Sequence, residues 1–263
     1  MQAFQLVAPQ QPPELRVVPV PEPGPGQVLV KVGGAGACHS DLHLMEAPAE
    51  RLGRVPFTLG HENAGWVEKL GPGATGFAPG DPVLVYGPWG CGTCANCRLG
   101  MENYCEATGG LGGGLAGNDG GMAPYLLVPA TRFLIPLGSL DPREAAPLTD
   151  AALTSYHAVK RSLHLLGPGS TAVVIGAGGL GQMAIQILRA LSSSTTVVAV
   201  DTAADNSRPP RAWARTRRCC PVTRRSPESR TSRADKAHSS SWTWSEWTRL
   251  PEWPRRWPGC VAT

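Results

Sequence analysis

The sequence predicts a β-rich domain, then the beginning of an α/β domain, then a segment of different character. Through the first 130 residues, short apolar runs are separated by glycine and proline, which is typical of a small irregular barrel. From about residue 141 the order becomes helix, strand, glycine turn, helix and strand, so a βαβ unit is indicated. After Asp201 the apolar residues follow neither the helical nor the strand period.

Turn residues mark the strands of the β-rich part. Val28–Val32 follows a Pro-Gly-Pro-Gly turn, Ala64–Leu70 ends at a Gly-Pro-Gly turn, and Val83–Tyr86 follows Gly-Asp-Pro. Alternating or β-branched runs bounded by such turns predict strands. We therefore assign residues 1–145 to the first domain.

The α/β part begins with helical spacing over Ala145–Leu165. The β-branched run Thr171–Ile175, the apolar helix Leu180–Leu191 and the buried strand Thr196–Val200 follow. Residues 146–203 are therefore predicted to begin a doubly wound parallel sheet, of which only two strands are recognisable.

Composition excludes several classes of protein. Hydrophobic residues make up 42% of the chain, which is enough for a buried core. Because the sequence has no apolar run of 18 residues, we expect no membrane partner. Residues 1–20 lack the pattern of a secretory signal, so a cytoplasmic location is expected.

Charge is divided unevenly along the chain. Residues 1–204 carry a net charge of −4, whereas residues 205–263 carry +8 and six of the eight tryptophans. A basic tail that stacks tryptophan on nucleic acid is one explanation, but nothing in residues 1–203 resembles a nucleic-acid module. We favour a shifted reading frame, and predict that 204–263 is an out-of-frame, disordered tail with no nucleic-acid partner.

Four cysteines lie within 15 residues and predict a metal site. They are Cys91, Cys94, Cys97 and Cys105. Four thiolates can surround one zinc ion and leave no open position, so this lobe, about residues 88–108, is predicted to be structural. Free or redox cysteines and an iron–sulfur cluster are the alternatives.

A cysteine, a histidine and a carboxylate form a second candidate metal site. Cys38 follows a glycine-rich strand end, His61 lies in a Gly-His-Glu segment, and Asp150 comes much later. Three such ligands leave a fourth position for a substrate oxygen. Spacing alone leaves open a buried cysteine and a structural histidine.

A Gly-Ala-Gly-Gly-Leu-Gly segment lies between the first predicted strand and helix of the α/β part. Its glycines permit a tight turn, close approach to a pyrophosphate and close helix–strand packing. The predicted cofactor-binding residues are Gly176, Gly178, Gly179, Leu180 and Gly181. Asp201, 20 residues beyond Gly181, is predicted to accept hydrogen bonds from the adenosine ribose and to favour NAD over NADP. A solvated strand-end carboxylate is the alternative.

Three ordered motifs carry a family resemblance from residue 1 to about 203. GHENAG at 60–65, with Gly71 six residues later, resembles the zinc signature of medium-chain alcohol dehydrogenases. CHSDLH at 38–43 resembles the first-ligand segment of that family, and the four cysteines have its structural-zinc spacing. The resemblance implies a GroES-like barrel followed by a Rossmann domain, here incomplete.

The resemblance also implies roles for individual residues. Two zinc ions are expected, one structural and one catalytic, the latter held by Cys38, His61 and Asp150. Most members of the family have cysteine at the third position and some bacterial members have aspartate. Glu62 is implied beside the metal or as an alternate ligand. Ser40 and His43 are implied to form a proton relay. His39 is implied to contact the pyrophosphate.

The implied activity is NAD-dependent oxidation of a primary or secondary alcohol to an aldehyde or ketone. A polyol or amino-alcohol dehydrogenase of the same family is an alternative, and so is an inactive zinc-binding remnant. Full-length members form homodimers or homotetramers, mostly through the region that follows residue 203.

Sequencing the coding DNA tests the proposed frame shift. From about residues 203–209 onward, we expect the neighbouring frame to encode apolar, strand-like segments. An intact frame, with no such peptide encoded in the alternative, would contradict the hypothesis.

Overall fold

The computed structural model describes residues 1–201 and the short strand Arg217–Cys219. Apart from that strand, the predicted tail at 204–263 lies outside the described residues. The chain divides into an N-terminal unit that includes Met1–Asp150 and a second unit that begins at Ala151. The predicted domain boundary after residue 145 precedes this break by one 3-10 turn, Ala146–Thr149.

The described part of the N-terminal unit, residues 1–150, has eight strands in two antiparallel sheets. They are β1 (Gln2–Leu6), β2 (Glu14–Val17), β3 (Val28–Gly36), β4 (Phe57–Thr58), β5 (Glu62–Leu70), β6 (Pro82–Val85), β7 (Tyr125–Val128) and β8 (Leu134–Pro136). One sheet has the order β2-β1-β4 and the other β7-β3-β5-β6-β8. The predicted irregular barrel thus takes the form of a three-stranded and a five-stranded sheet.

Two apolar clusters stabilise these sheets. The interior face of the five-stranded sheet buries a valine-rich cluster that includes Val28, Val67 and Val83. A second cluster joins β1 and β4 to the end of β3, through Leu6, Phe57 and Ala35 among others. Burying each large apolar side chain contributes about 1.5–3 kcal/mol before entropic costs. The two clusters therefore hold the ends of β3 and β5 in place.

Short helices connect the strands. They are α1 (His39–Glu46), α2 (Ala49–Leu52), α3 (Ala95–Arg98) and α4 (Pro142–Ala145), with 3-10 turns at Glu102–Tyr104, Thr131–Phe133 and Ala146–Thr149. Asp141 begins α4 by accepting a hydrogen bond from the Arg143 backbone N–H at 2.9 Å, as expected of an aspartate cap. No helix in residues 1–201 is both long and apolar enough to cross a membrane.

The second unit has the predicted alternation of helix and parallel strand. Its elements are α5 (Ala151–Arg161), a 3-10 turn at Leu163–Leu165, β9 (Thr171–Ile175), α6 (Gly179–Leu191), β10 (Thr196–Val200) and β11 (Arg217–Cys219). The strand order is β11-β10-β9, and both pairings are parallel. A core of Val159, Ile185, Leu188 and Val197 joins the helices to the sheet.

Several elements differ from those predicted. The bounds of β9 and β10 are confirmed, and β3 and β5 are longer than expected. The expectation of only two parallel strands was wrong, because β11 pairs with β10. Its Arg-Arg-Cys sequence lacks the apolar pattern that identifies a buried strand. The predicted helix at Ala145–Leu165 is divided into α5 and two 3-10 turns, one before it at Ala146–Thr149 and one after it at Leu163–Leu165.

Candidate metal centres and cofactor loop

The pairing of β3 with β5 brings two of the candidate ligands together. Gly36, the last residue of β3, pairs with Glu62, the first residue of β5. Cys38 lies two residues after Gly36, and His61 directly precedes Glu62. The antiparallel register therefore places these two side chains at the same end of the sheet.

Asp150 completes this first centre. It follows the 3-10 turn Ala146–Thr149, and its Oδ2 lies 3.4 Å from His61 Nε2 and 3.6 Å from Cys38 Sγ. The ligand atoms of Cys38, His61 and Asp150 all lie within 4.8 Å of one another. The fold thus brings together three residues that are far apart in the sequence.

The Asp41 carboxylate contacts two of the three candidate ligand residues, Cys38 and His61. Its Oδ2 accepts a hydrogen bond from the Cys38 backbone N–H at 2.9 Å. Its Oδ1 forms an ion-pair contact of 3.3 Å with His61 Nδ1, and neither of these buried atoms has a hydrogen-bond partner among the described residues. We therefore assign the imidazole proton to Nδ1, which leaves Nε2 directed at Cys38 and Asp150.

No role for Asp41 was predicted from the sequence, although its spacing from Cys38 is a signal. Asp41 lies three residues after Cys38, the residue that precedes α1. An acidic side chain at that position commonly caps the first turn of a helix. The cap explains one oxygen of Asp41, but its contact with His61 depends on tertiary structure.

The surroundings of His61 favour a positive charge. Burial lowers the pKa of His61, but hydrogen bonds with Asp150, Asp41 and Cys38 outweigh this effect and raise the pKa to about 12. The side chain is only 6% exposed. The two carboxylates and the thiol around this imidazole thus favour a positive charge at this position, and the sulfur, nitrogen and oxygen donors are those that zinc accepts.

The remaining residues predicted near this centre occupy different positions. Glu62 is buried with its carboxylate against Gly36, outside the group of three within ligand distance. Ser40 Oγ lies 3.6 Å from Cys38 Sγ. His39 and His43 are exposed on α1, with their rings edge to face at 4.8 Å.

The four cysteines of the lobe also converge. Their sulfur atoms lie within 4.8 Å of one another. The backbone N–H groups of Cys91 and Cys94 donate to the sulfurs of Cys105 and Cys91, at 3.2 and 3.3 Å. Gly92 has a φ of +78°, a conformation that favours glycine. The local backbone therefore both turns tightly and directs N–H groups at the sulfurs.

These contacts make the lobe suitable for a bound cation. A hydrogen bond from the Thr108 side chain and others from backbone N–H groups lower the pKa of Cys105 to about 5. Burial raises the pKa of Cys97 to about 12, so that thiol ionises only with a cation beside it. Arg132 ties the lobe together through the Gly90 carbonyl and the Glu102 carboxylate.

The glycine segment of the second unit forms the turn before α6. Gly176 has a φ of +89°, and a Cβ at Gly181 would collide with the Gly176 carbonyl oxygen. Gly178 precedes the first residue of α6, Gly179, and Leu180 follows it, 45% exposed. Asp201 Oδ2 accepts a hydrogen bond from the Ala177 backbone N–H at 2.7 Å. The carboxylate at the end of β10 therefore holds this loop.

Comparison with known proteins identifies the first unit most clearly. Residues 24–139 match the alcohol dehydrogenase GroES-like domain. The chain is 44% identical over 210 residues to an NAD-dependent alcohol dehydrogenase of Sulfurisphaera tokodaii, a match that covers 76% of this chain and 58% of the relative.

Two further comparisons extend the likeness. A D-arabinose 1-dehydrogenase (NADP(+)) of Saccharolobus solfataricus is 41% identical over 193 residues, 72% of this chain and 54% of the relative. The fold is similar to that of a cobalt- and zinc-bound thermostable alcohol dehydrogenase from Pyrobaculum aerophilum, with a TM-score of 0.68, 35% identity and coverage of 76% and 59% of the two chains. The chain spans little more than half the length of the curated relatives that it matches.

Replacing Cys94 by serine tests the four-cysteine centre. Metal binding at such sites contributes directly to folding, on the order of 10 kcal/mol in small zinc domains. We expect Cys94→Ser to lose one equivalent of zinc and to lower the midpoint of thermal unfolding, measured by circular dichroism beside a zinc assay.

Cys38→Ser is the matched control, because it removes a thiol from the first centre, where Asp150 and His61 remain. We expect it to lower zinc content with little change in the unfolding midpoint. Unchanged zinc content and stability in Cys94→Ser would contradict the structural role of the lobe.

Proposed function

This chain belongs to the medium-chain zinc alcohol dehydrogenase family, and on that premise we propose that it carries the zinc centres and first cofactor-binding segment of an NAD-dependent alcohol dehydrogenase. Its substrates would be primary or secondary alcohols, and its products aldehydes or ketones. The observation that carries the proposal is the convergence of Cys38, His61 and Asp150.

The first centre is proposed to be catalytic. A zinc ion there would supply a Lewis acid that lowers the pKa of an alcohol oxygen. Cys38, His61 and Asp150 would hold it and leave a coordination position for substrate. Asp41 would hold the imidazole proton of His61 on Nδ1, so that the unprotonated Nε2 could bind the metal. Glu62, whose carboxylate lies against Gly36, would lie beside the metal or serve as an alternate ligand.

Proton transfer is proposed to use the hydroxyl and imidazole groups of α1. The Ser40 hydroxyl lies beside Cys38 and would accept the proton of the alcohol while releasing its own toward His43. His43 is exposed, and its imidazole would pass a proton on to solvent. This proposal is supported by the placement of both residues on one short helix that begins next to the first metal ligand.

The four-cysteine centre is proposed to be structural. It would hold a second zinc ion with no open position. The support comes from the N–H groups directed at the sulfurs and from the lowered pKa of Cys105.

The glycine loop is proposed to bind NAD, which supplies the hydride acceptor. The N-terminus of the 13-residue helix α6 presents free N–H groups to a pyrophosphate. We propose that Asp201 disfavours a 2′-phosphate and so selects NAD. His39 would provide a basic contact to the pyrophosphate. NADP, the cofactor named for the D-arabinose relative, is the alternative.

A second candidate function is zinc binding without turnover. The observation in its favour is the small parallel sheet: the described part of the second unit has three strands, whereas a complete domain of this type has about six. Hydride transfer requires the nicotinamide to be held closely against the substrate carbon. A chain that buries only part of the dinucleotide would not hold it so.

Turnover and zinc content measured together separate these candidates. With 2-propanol or 1-butanol and NAD, an active enzyme produces NADH, measured by absorbance, and produces much less NADPH from NADP. About two zinc ions per chain, as four-thiolate and open three-ligand sites require, are expected in either case. Two zinc ions without NADH would favour the second candidate, and a chain without zinc would contradict both.

A further inference from the structure

We infer that Thr149 is a positioning residue for the first metal centre, and that its buried hydroxyl fixes the Asp150 carboxylate relative to His61. The inference rests on the proposed zinc site. Thr149 offers no ligand atom to the metal and lies outside the motifs by which the family was identified, so the inference assigns it a new role.

The Thr149 hydroxyl joins the two chain segments that carry these ligands. Its Oγ1 donates to the Ala146 carbonyl at 2.8 Å and accepts from the Asn63 backbone N–H at 3.2 Å. The Asn63 side chain in turn donates from Nδ2 to the Gly60 carbonyl at 3.0 Å. A continuous set of hydrogen bonds therefore runs from the residue before His61 to the residue before Asp150.

These hydrogen bonds lie in a buried environment. Thr149 is 5% exposed and Asn63 is 2% exposed. Loss of the hydroxyl would leave the Asn63 N–H and the Ala146 carbonyl without this partner, and buried polar groups are costly to leave unpaired. The 3-10 turn Ala146–Thr149 would then shift to recover hydrogen bonds.

Asp150 is sensitive to such a shift. Its side chain is 32% exposed, so packing restrains it less than it restrains His61. Its backbone lies beyond the 3-10 turn, at φ −132° and ψ −66°, and continues directly from Thr149. A small rotation of the Asp150 backbone would move its carboxylate away from Cys38, which follows β3, and from His61, which precedes β5.

Thr149→Val tests the inference, because valine keeps the shape of threonine and removes the hydroxyl. The full chain is titrated with Co²⁺, whose absorption spectrum distinguishes four-thiolate ligation from mixed ligation. We expect about tenfold weaker binding or more at the Cys38 centre, an altered spectrum there, and unchanged binding at the four cysteines. Thr149→Ser, which restores the hydroxyl, is expected to resemble the original chain.

Thr58→Val is the matched control. Thr58 is 2% exposed, and its hydroxyl accepts from Gln5 Nε2 at 3.3 Å, so the control also removes a buried hydroxyl from the N-terminal unit. Equal weakening in both valine variants, loss of Co²⁺ from the four cysteines in Thr149→Val, or failure of Thr149→Ser to restore binding would overturn the inference.

The original chain distinguishes failure of this inference from failure of the proposed function. If it binds Co²⁺ at the Cys38 centre and Thr149→Val binds equally tightly, the positioning role is wrong and the metal site stands. If the original chain binds none there, the proposed catalytic centre is wrong and the inference falls with it.

Discussion

The Asp41 carboxylate is shared between the Cys38 backbone N–H and the His61 imidazole, and the geometry of the first candidate metal centre depends on this sharing. The pairing of Gly36 with Glu62 brings the two ligand segments together, but it does not orient the imidazole. Asp41 does so by its contact with Nδ1. Strand register therefore brings Cys38 and His61 together, Asp150 joins them from the end of the 3-10 turn Ala146–Thr149, and the Asp41 carboxylate on α1 orients the imidazole.

The second unit contrasts with this well-supported centre. β9 and β10 pack on α6 through the side chains of one face, while Val173 and Ile175 on β9 are 57% and 85% exposed. Strands of parallel sheets are normally covered on both faces. The glycine turn is nevertheless formed, with Gly176 at a φ of +89° and the Asp201 carboxylate bonded to the Ala177 backbone N–H. Cofactor recognition and complete burial of the cofactor are therefore separate questions for this chain.

Sequence patterns predicted those features that depend on local chemistry. The parallel strands β9 and β10 and the glycine turn follow from apolar periodicity and backbone freedom, and the spacing of four cysteines indicates a common metal. Asp150 and Asp41 are different. The spacing of Asp150 says nothing about its distance from His61, so residue chemistry made it only a candidate and the family resemblance implied its role. The second contact of Asp41 depends on the β3–β5 register. The β11 strand was missed because Arg217 and Arg218 carry no apolar signal.

The most direct test of this account is zinc-edge anomalous diffraction from crystals of the zinc-loaded full chain. Two anomalous peaks are expected. One lies among the four cysteine sulfurs, and the other lies among Cys38 Sγ, His61 Nε2 and the Asp150 carboxylate, with Asp41 still against His61 Nδ1. A single peak at the four cysteines, or a second peak bound by Glu62 in place of Asp150, would contradict it.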